Sequence, residues 1–180
     1  MEAKRLGLLR ELVPTAVMIA VLLNPAYPNA ETQAKEVQEA ARALGVQIQV
    51  LRASTEQEID TAFAASVQLR AGALLVCADS FFNSRRNQIV ALAASHAMPT
   101  IYQERTFAEA GGLVSYGTSL TDAYRQTGFY AGRILKGAKP AELPVLQSTK
   151  FEFVINLKTA KTLGLEISPQ LLVRADEVIE

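Results

Sequence analysis

Val17-Met18-Ile19-Ala20-Val21-Leu22-Leu23, followed at once by Asn24-Pro25-Ala26-Tyr27-Pro28-Asn29, decides the fold of this chain. An unbroken apolar run of strand length lacks the polar alternation of a half-exposed strand. It fits a central parallel strand covered on both faces. The Asn-Pro…Pro-Asn segment ends it as a turn, because proline fixes φ and asparagine bonds its own backbone. Downstream, Ala34, Val37, Ala41 and Leu44 recur at helical spacing, with Asn29 placed to cap the helix and Gly45 to end it. Upstream, Leu6, Leu8, Leu9 and Leu12 predict an opening helix that Pro14 terminates.

The same cycle recurs along the chain. Val46 to Leu51 reads as a strand, and Thr55-Glu56-Gln57-Glu58 is a capping box opening a helix with Ile59, Phe63 and Val67 inward. Ala73 to Cys77 is a third strand, followed by Asp79-Ser80-Phe81-Phe82 and a helix carrying Ile89, Leu92 and Ala93. Thr100 to Tyr102 is a fourth, and Leu113 to Tyr116 a fifth, entered through Gly111-Gly112. Strands and helices alternating at this spacing imply right-handed βαβ crossovers. The expected class is α/β, a Rossmann-like parallel sheet with helices on both faces.

Composition narrows the function. Apolar residues make up 49% of the 180, enough for a sizeable core, and 18 Lys and Arg balance 18 Asp and Glu. A neutral chain offers no electrostatic case for nucleic acid, and Arg85-Arg86 reads as a solvated helix face. The longest apolar run, Ala16 to Leu23, is too short to span a bilayer. Met1 to Arg5 leads directly into the first helix, so no signal peptide is expected, and the chain as written would stay in the cytoplasm.

In an open parallel sheet, ligands sit beyond the carboxyl ends of the strands. Those ends carry the candidate ligand-binding residues Asn24, Tyr27, Asp79, Ser80, Phe81, Phe82, Gln103, Glu104 and Tyr116. The inventory suits a zwitterion with an apolar body: Asp79 for an ammonium, Asn24 and Ser80 for a carboxylate, and Phe81, Phe82 or Tyr27 for a ring. Helices starting just after these loops would add their positive ends. Bland readings stand beside each. Asp79-Ser80 also fits a helix cap, Asn24-Pro25 a turn, and Glu104 a partner for Arg105. One of Phe81 and Phe82 belongs in the core, and Tyr102 reads as packed within its strand.

Catalytic readings find less support. Asp79 at a strand end resembles a phosphoacceptor, yet Asn24-Pro25 replaces the acidic pair that chemistry needs after the first strand. No GxGxxG or GxxxxGK[ST] loop follows any strand. Cys77 ends a buried strand, and His96 stands near a helix C-terminus. A single His, a single Cys and unclustered carboxylates make no metal centre. The chain is expected to be no enzyme and to need no cofactor or metal.

The last third ends differently from a compact three-layer domain. Tyr116-Gly117 is followed by a helix from Ser119 ending in Leu135-Lys136-Gly137-Ala138-Lys139-Pro140. Then comes Thr149-Lys150-Phe151-Glu152-Phe153-Val154-Ile155-Asn156-Leu157-Lys158-Thr159-Ala160-Lys161. From Lys4 to Glu180 the chain resembles the periplasmic binding proteins that feed ABC transporters, and most of all their tryptophan/tyrosine-type family. There a Lys-Phe strand and an Asn-Leu-Lys-Thr-Ala-Lys helix stand in these positions.

The resemblance implies a type I periplasmic-binding-protein lobe that holds a small molecule, an aromatic amino acid favoured, and docks on an ABC permease. A first lobe and an export signal would precede Met1, and the working place would be the periplasm. Residues 1–117 would be the ligand-binding lobe. Residues 118–148 would pack on the first lobe, and 149–180 would return as a strand and closing helix. Hinges are expected near Leu113–Thr118 and Gln147–Lys150. The helix Leu120–Leu135 has apolar stripes on more than one side (Leu120, Ala123, Tyr130, Ile134 and Tyr124, Gly128, Ala131, Leu135), which would also permit a homo-oligomer. The alternatives are a regulator's effector-binding domain, which would need a helix-turn-helix and a basic face, and a free-standing interaction domain.

Overall fold

The computed structural model describes residues 1–145 and 150–180. Among them, seven strands form one sheet in the order β2-β1-β3-β4-β5-β6-β7. The strands are β1 (Met18–Leu23), β2 (Gln47–Arg52), β3 (Ala73–Val76), β4 (Thr100–Tyr102), β5 (Val114–Thr118), β6 (Phe151–Asn156) and β7 (Glu177–Ile179). All neighbours pair in parallel except β5 and β6, which run antiparallel from Val114↔Ile155 to Thr118↔Phe151. The α/β expectation therefore holds, with one reversal in an otherwise parallel sheet.

The quoted apolar run behaves as its pattern requires. Successive strand residues point to opposite faces, so Ile19, Val21 and Leu23 enter one core and Ala20 and Leu22 the other. The first core lies under α1 (Glu2–Leu12) and α2 (Ala30–Leu44), which bring Leu6, Leu9, Val37 and Ala41, and extends to Ala160 and Leu171 of α8 (Leu157–Thr162) and α9 (Pro169–Arg174). The second lies under α3 (Glu56–Gln68), α4 (Ser80–Ser84), α5 (Arg86–Ser95) and α6 (Arg105–Glu109). Those helices bring Ile59, Phe63, Phe82, Ile89 and Phe107. Each such side chain, once fully buried, favours folding by about 1.5–3 kcal/mol.

Helix boundaries follow local chemistry. The Thr55–Glu58 capping box forms as its sequence predicts: Thr55 Oγ1 accepts from Glu58 N–H at 3.2 Å, and Glu58 accepts from Thr55 N–H at 3.2 Å. Gly45 ends α2 in the left-handed region at φ +64°. Asn29 occupies the N-cap of α2, but its side chain makes no cap bond, contrary to expectation. Leu44 and Val67, expected inward, are exposed, each near a helix end beyond the reach of the core. The sequence reading had no counterpart for α6, α9 or β7; all are short, and β7 pairs only with β6.

The helix α7 (Leu120–Leu135) begins at Ser119, whose hydroxyl accepts from Asp122 N–H at 3.3 Å. It then leaves the domain surface: Asp122 is its one buried residue, while Tyr124, Phe129 and Leu135 stand 74%, 62% and 88% exposed. The expected hinge segment at Gln147 lies outside the described residues.

Candidate functional site

The order of strands reverses between β1 and its neighbours, since β2 lies on one side of β1 and β3 on the other. At such a switch point the loops that follow the strands diverge and leave a crevice. A cavity of about 560 Å³ occupies this edge. Tyr27 reaches it from the loop after β1, Ala78 from the end of β3, Gln103 and Glu104 from the end of β4, and Thr118 and Leu120 from the passage between β5 and α7. Asn29, Thr32, Gln33 and Glu36 from the start of α2, and Met1, Glu2 and Arg5 from the start of α1, complete the wall.

Of the nine residues expected from the sequence, three meet in this cavity: Tyr27, Gln103 and Glu104. Asn24 and Asp79 are buried against each other instead. Asn24 Nδ2 donates to Asp79 Oδ1 at 3.1 Å, and the same oxygen accepts from Phe82 N–H at 3.1 Å, capping α4. Asn24 Oδ1 accepts from Ala26 N–H at 2.9 Å, the Asx turn that its place before Pro25 favours. The pair thus latches the β1 and β3 loops together across the switch point. Phe82 is fully buried in the core, Phe81 is half-buried beside it, and Ser80 is exposed. None of these five lines the cavity.

Tyr116 also turns away. Its ring stacks on Phe151 at 6.0 Å between centroids and meets Phe153 edge-on at 6.3 Å. That places it in a separate cleft of about 380 Å³ with Lys4, Leu8, Arg174 and Asp176. Only its carbonyl faces inward, accepting from Arg5 Nη1 at 3.4 Å.

Gly117, the next residue, is what permits the close approach of β5 to β4. A Cβ there would stand 1.7 Å from the carbonyl oxygen of Gln103. Glycine alone fits, and Gln103 is thereby held at the cavity wall.

The cavity's charge is organised around a buried ion pair that the sequence reading missed. Arg5 and Glu2 are 1% and 2% exposed. Arg5 Nε donates to Glu2 Oε2 at 3.1 Å, and Nη2 donates to Oε1. Their i, i+3 spacing on a helix was the available signal. Gln33 and Thr118 were missed as well; Gln33 lies in the first turn of α2, where a glutamine reads as helix surface.

Two polar atoms in this wall are left over. Gln33 Nε2 donates to Ala78 O at 2.8 Å, and Gln103 Nε2 donates to Asn83 Oδ1. The opposite end of each amide, Oε1, is buried without a partner. An unmatched buried acceptor costs about 1–3 kcal/mol, which a donor arriving in the cavity would recover. Among the described residues, no group of three or more His, Cys, Asp or Glu could hold a metal ion. No described helix is long and apolar enough to cross a membrane.

Known proteins share this fold. A family model described as ABC transporter substrate binding protein matches residues 1–179. A tyrosine-binding protein from Clostridioides difficile is 25% identical over 167 residues, which is 91% of this chain and 47% of that protein. The crystal structure of an ABC domain in complex with L-Trp from Streptococcus pneumoniae is 28% identical. It superposes with a TM-score of 0.87 over 99% of this chain and 60% of its own. A ligand-free, open substrate-binding protein with adhesive properties from Clostridium difficile, at 23% identity and a TM-score of 0.69, shares the fold over 98% of this chain and 59% of its own. The chain thus spans about half the length of the curated relative and three fifths of these structures.

Proposed function

The chain belongs to the ABC transporter substrate-binding proteins, and from that premise we propose that it supplies one lobe of a solute receptor for an ABC importer. The lobe holds a small amino acid, an aromatic one by preference, in the cavity beyond β1, β3, β4 and β5. The observation that carries this reading is the cavity itself. It lies at the topological switch point, it is bounded by a 15-residue helix whose N-cap side chain makes no cap bond, and it retains unmatched amide acceptors.

The α2 start offers a positive dipole end to a carboxylate. Tyr27 offers a ring edge and a hydroxyl to an aromatic body. No reaction is involved: the work is capture, closure and hand-over. A second lobe would cover the ligand from the open side and rest on the exposed face of α7, with β5 and β6 as the hinge. The closed form would then be read by a membrane permease, outside the inner membrane. The curated tyrosine-binding relative and the L-Trp complex support the ligand class.

The test is transport. Deleting the gene should lower cellular uptake of labelled L-tryptophan or L-tyrosine, and restoring it should recover uptake. Uptake of every amino acid unchanged by deletion would overturn the importer reading.

A further inference from the structure

Two buried amide oxygens in the cavity wall have no partner among the described residues. Gln103 spends its amide N–H on Asn83 Oδ1, and Asn83 Nδ2 in turn donates to Glu104 Oε1 at 2.5 Å. Gln33 spends its amide N–H on Ala78 O. The guanidinium of Arg5 donates to Glu2 and to the carbonyl of Tyr116. Each of these groups thus has at least one donor engaged by the protein. What the cavity wall leaves unmatched is acceptor capacity: the orphaned Oε1 atoms of Gln103 at the end of β4 and Gln33 at the start of α2, whose residues are 5% and 7% exposed, with the carboxylate of Glu104 beside Gln103. The last torsion of a glutamine is broad, so a small rotation exposes Oε1 to a donor entering the cavity.

We propose that this lobe recognises the ammonium end of its ligand, with Gln103 and Gln33 as specificity-determining acceptors and Glu104 as the matching charge. The inference rests on the solute-binding reading of this cavity and goes further by assigning the ligand's polarity. A primary ammonium carries three N–H donors to offer these acceptors, whereas a carboxylate carries none. The proposal departs from the assignment to Asp79 suggested by strand-end position, because Asp79 Oδ1 is already engaged by Asn24 and Phe82.

The experiment is a titration of the ¹⁵N-labelled chain with L-tryptophan, tryptamine and indole-3-propionate, each followed by amide chemical shifts. L-tryptophan and tryptamine should shift Gln33, Gln103 and Glu104. Indole-3-propionate, which lacks the amine, should bind at least about tenfold more weakly, the scale of one charge-assisted hydrogen bond. Gln103→Leu should abolish the preference for the amine while leaving the dispersed spectrum of a folded chain. Glu104→Gln, which keeps shape and removes charge, should lower it.

Equal binding of tryptamine and indole-3-propionate, or a preference unchanged in Gln103→Leu, would overturn this inference and leave the solute site standing. Shifts confined to residues away from the cavity for all three compounds would overturn the site, and this inference with it.

Discussion

Gly117 and Cys77 are the residues at which the account is most exposed to test. Placing a Cβ on Gly117 drives it into the carbonyl oxygen of Gln103, backbone against backbone, so the clash is not relieved by a rotamer change. Gly117→Ala should cost about 1–3 kcal/mol or more, read as a lower urea midpoint, and should displace the Gln103 amide resonance. Wild-type stability in that variant would contradict the close approach. Burial pushes the Cys77 thiol well above its ordinary value of 9.0, with the Glu2 carboxylate adding to the effect and Arg5 opposing it. A group whose pKa is raised by folding contributes stability that is complete below its unfolded pKa and is lost progressively from there as pH rises through its folded pKa. Folded protein should therefore react with a thiol reagent at pH 8 only as fast as it opens. Its stability should decline above pH ~9, a decline that Cys77→Ala removes. Rapid labelling of all molecules in native buffer would contradict the burial.

At the scale of elements, α7 and β6 show what the sequence could and could not disclose. The doubled apolar stripes of Leu120–Leu135 were legible because helical periodicity is local. The structure leaves Tyr124 and Leu135 of one stripe on the surface. The chain by itself should self-associate through that face, as sedimentation at rising concentration would register. Tyr124→Glu with Leu135→Glu should give a monomer of unchanged thermal midpoint, since surface changes cost within about 0.5 kcal/mol. A wild-type chain that stays monomeric at high concentration would contradict it. The strands β1 to β5 were legible from apolar runs and turn residues, and β6 from the family resemblance. By contrast, β7, α6 and α9 were not, because segments of three to six residues carry too few turns or alternations to define a period. Site residues were legible only to the level of strand ends. Position along the chain placed Tyr27, Gln103 and Glu104 at the right edge of the sheet. It could not show that Asn24 and Asp79 satisfy each other, or that Tyr116 points to a separate cleft, because both depend on contacts between residues distant in sequence.

At the scale of the whole molecule, the parallel sheet reverses once, at β5–β6, beside the passage into α7. The cavity opens at the same edge of the sheet, so the proposed ligand site, the proposed hinge and the exposed helix are neighbours. In the proposed receptor, that adjacency would couple capture at the cavity to movement of a lobe resting on α7. The claim on which the rest depends is that the solute occupies the β1/β3 switch point. The measurement that tests it most directly is the amide shift map of the ¹⁵N-labelled chain on addition of L-tryptophan to millimolar concentration. Saturable shifts clustered on Tyr27, Thr32, Gln33, Gln103, Glu104 and Thr118 are expected. Shifts clustered instead on Lys4, Phe151 and Arg174 around the Tyr116 cleft, or no saturable shift at all, would contradict it.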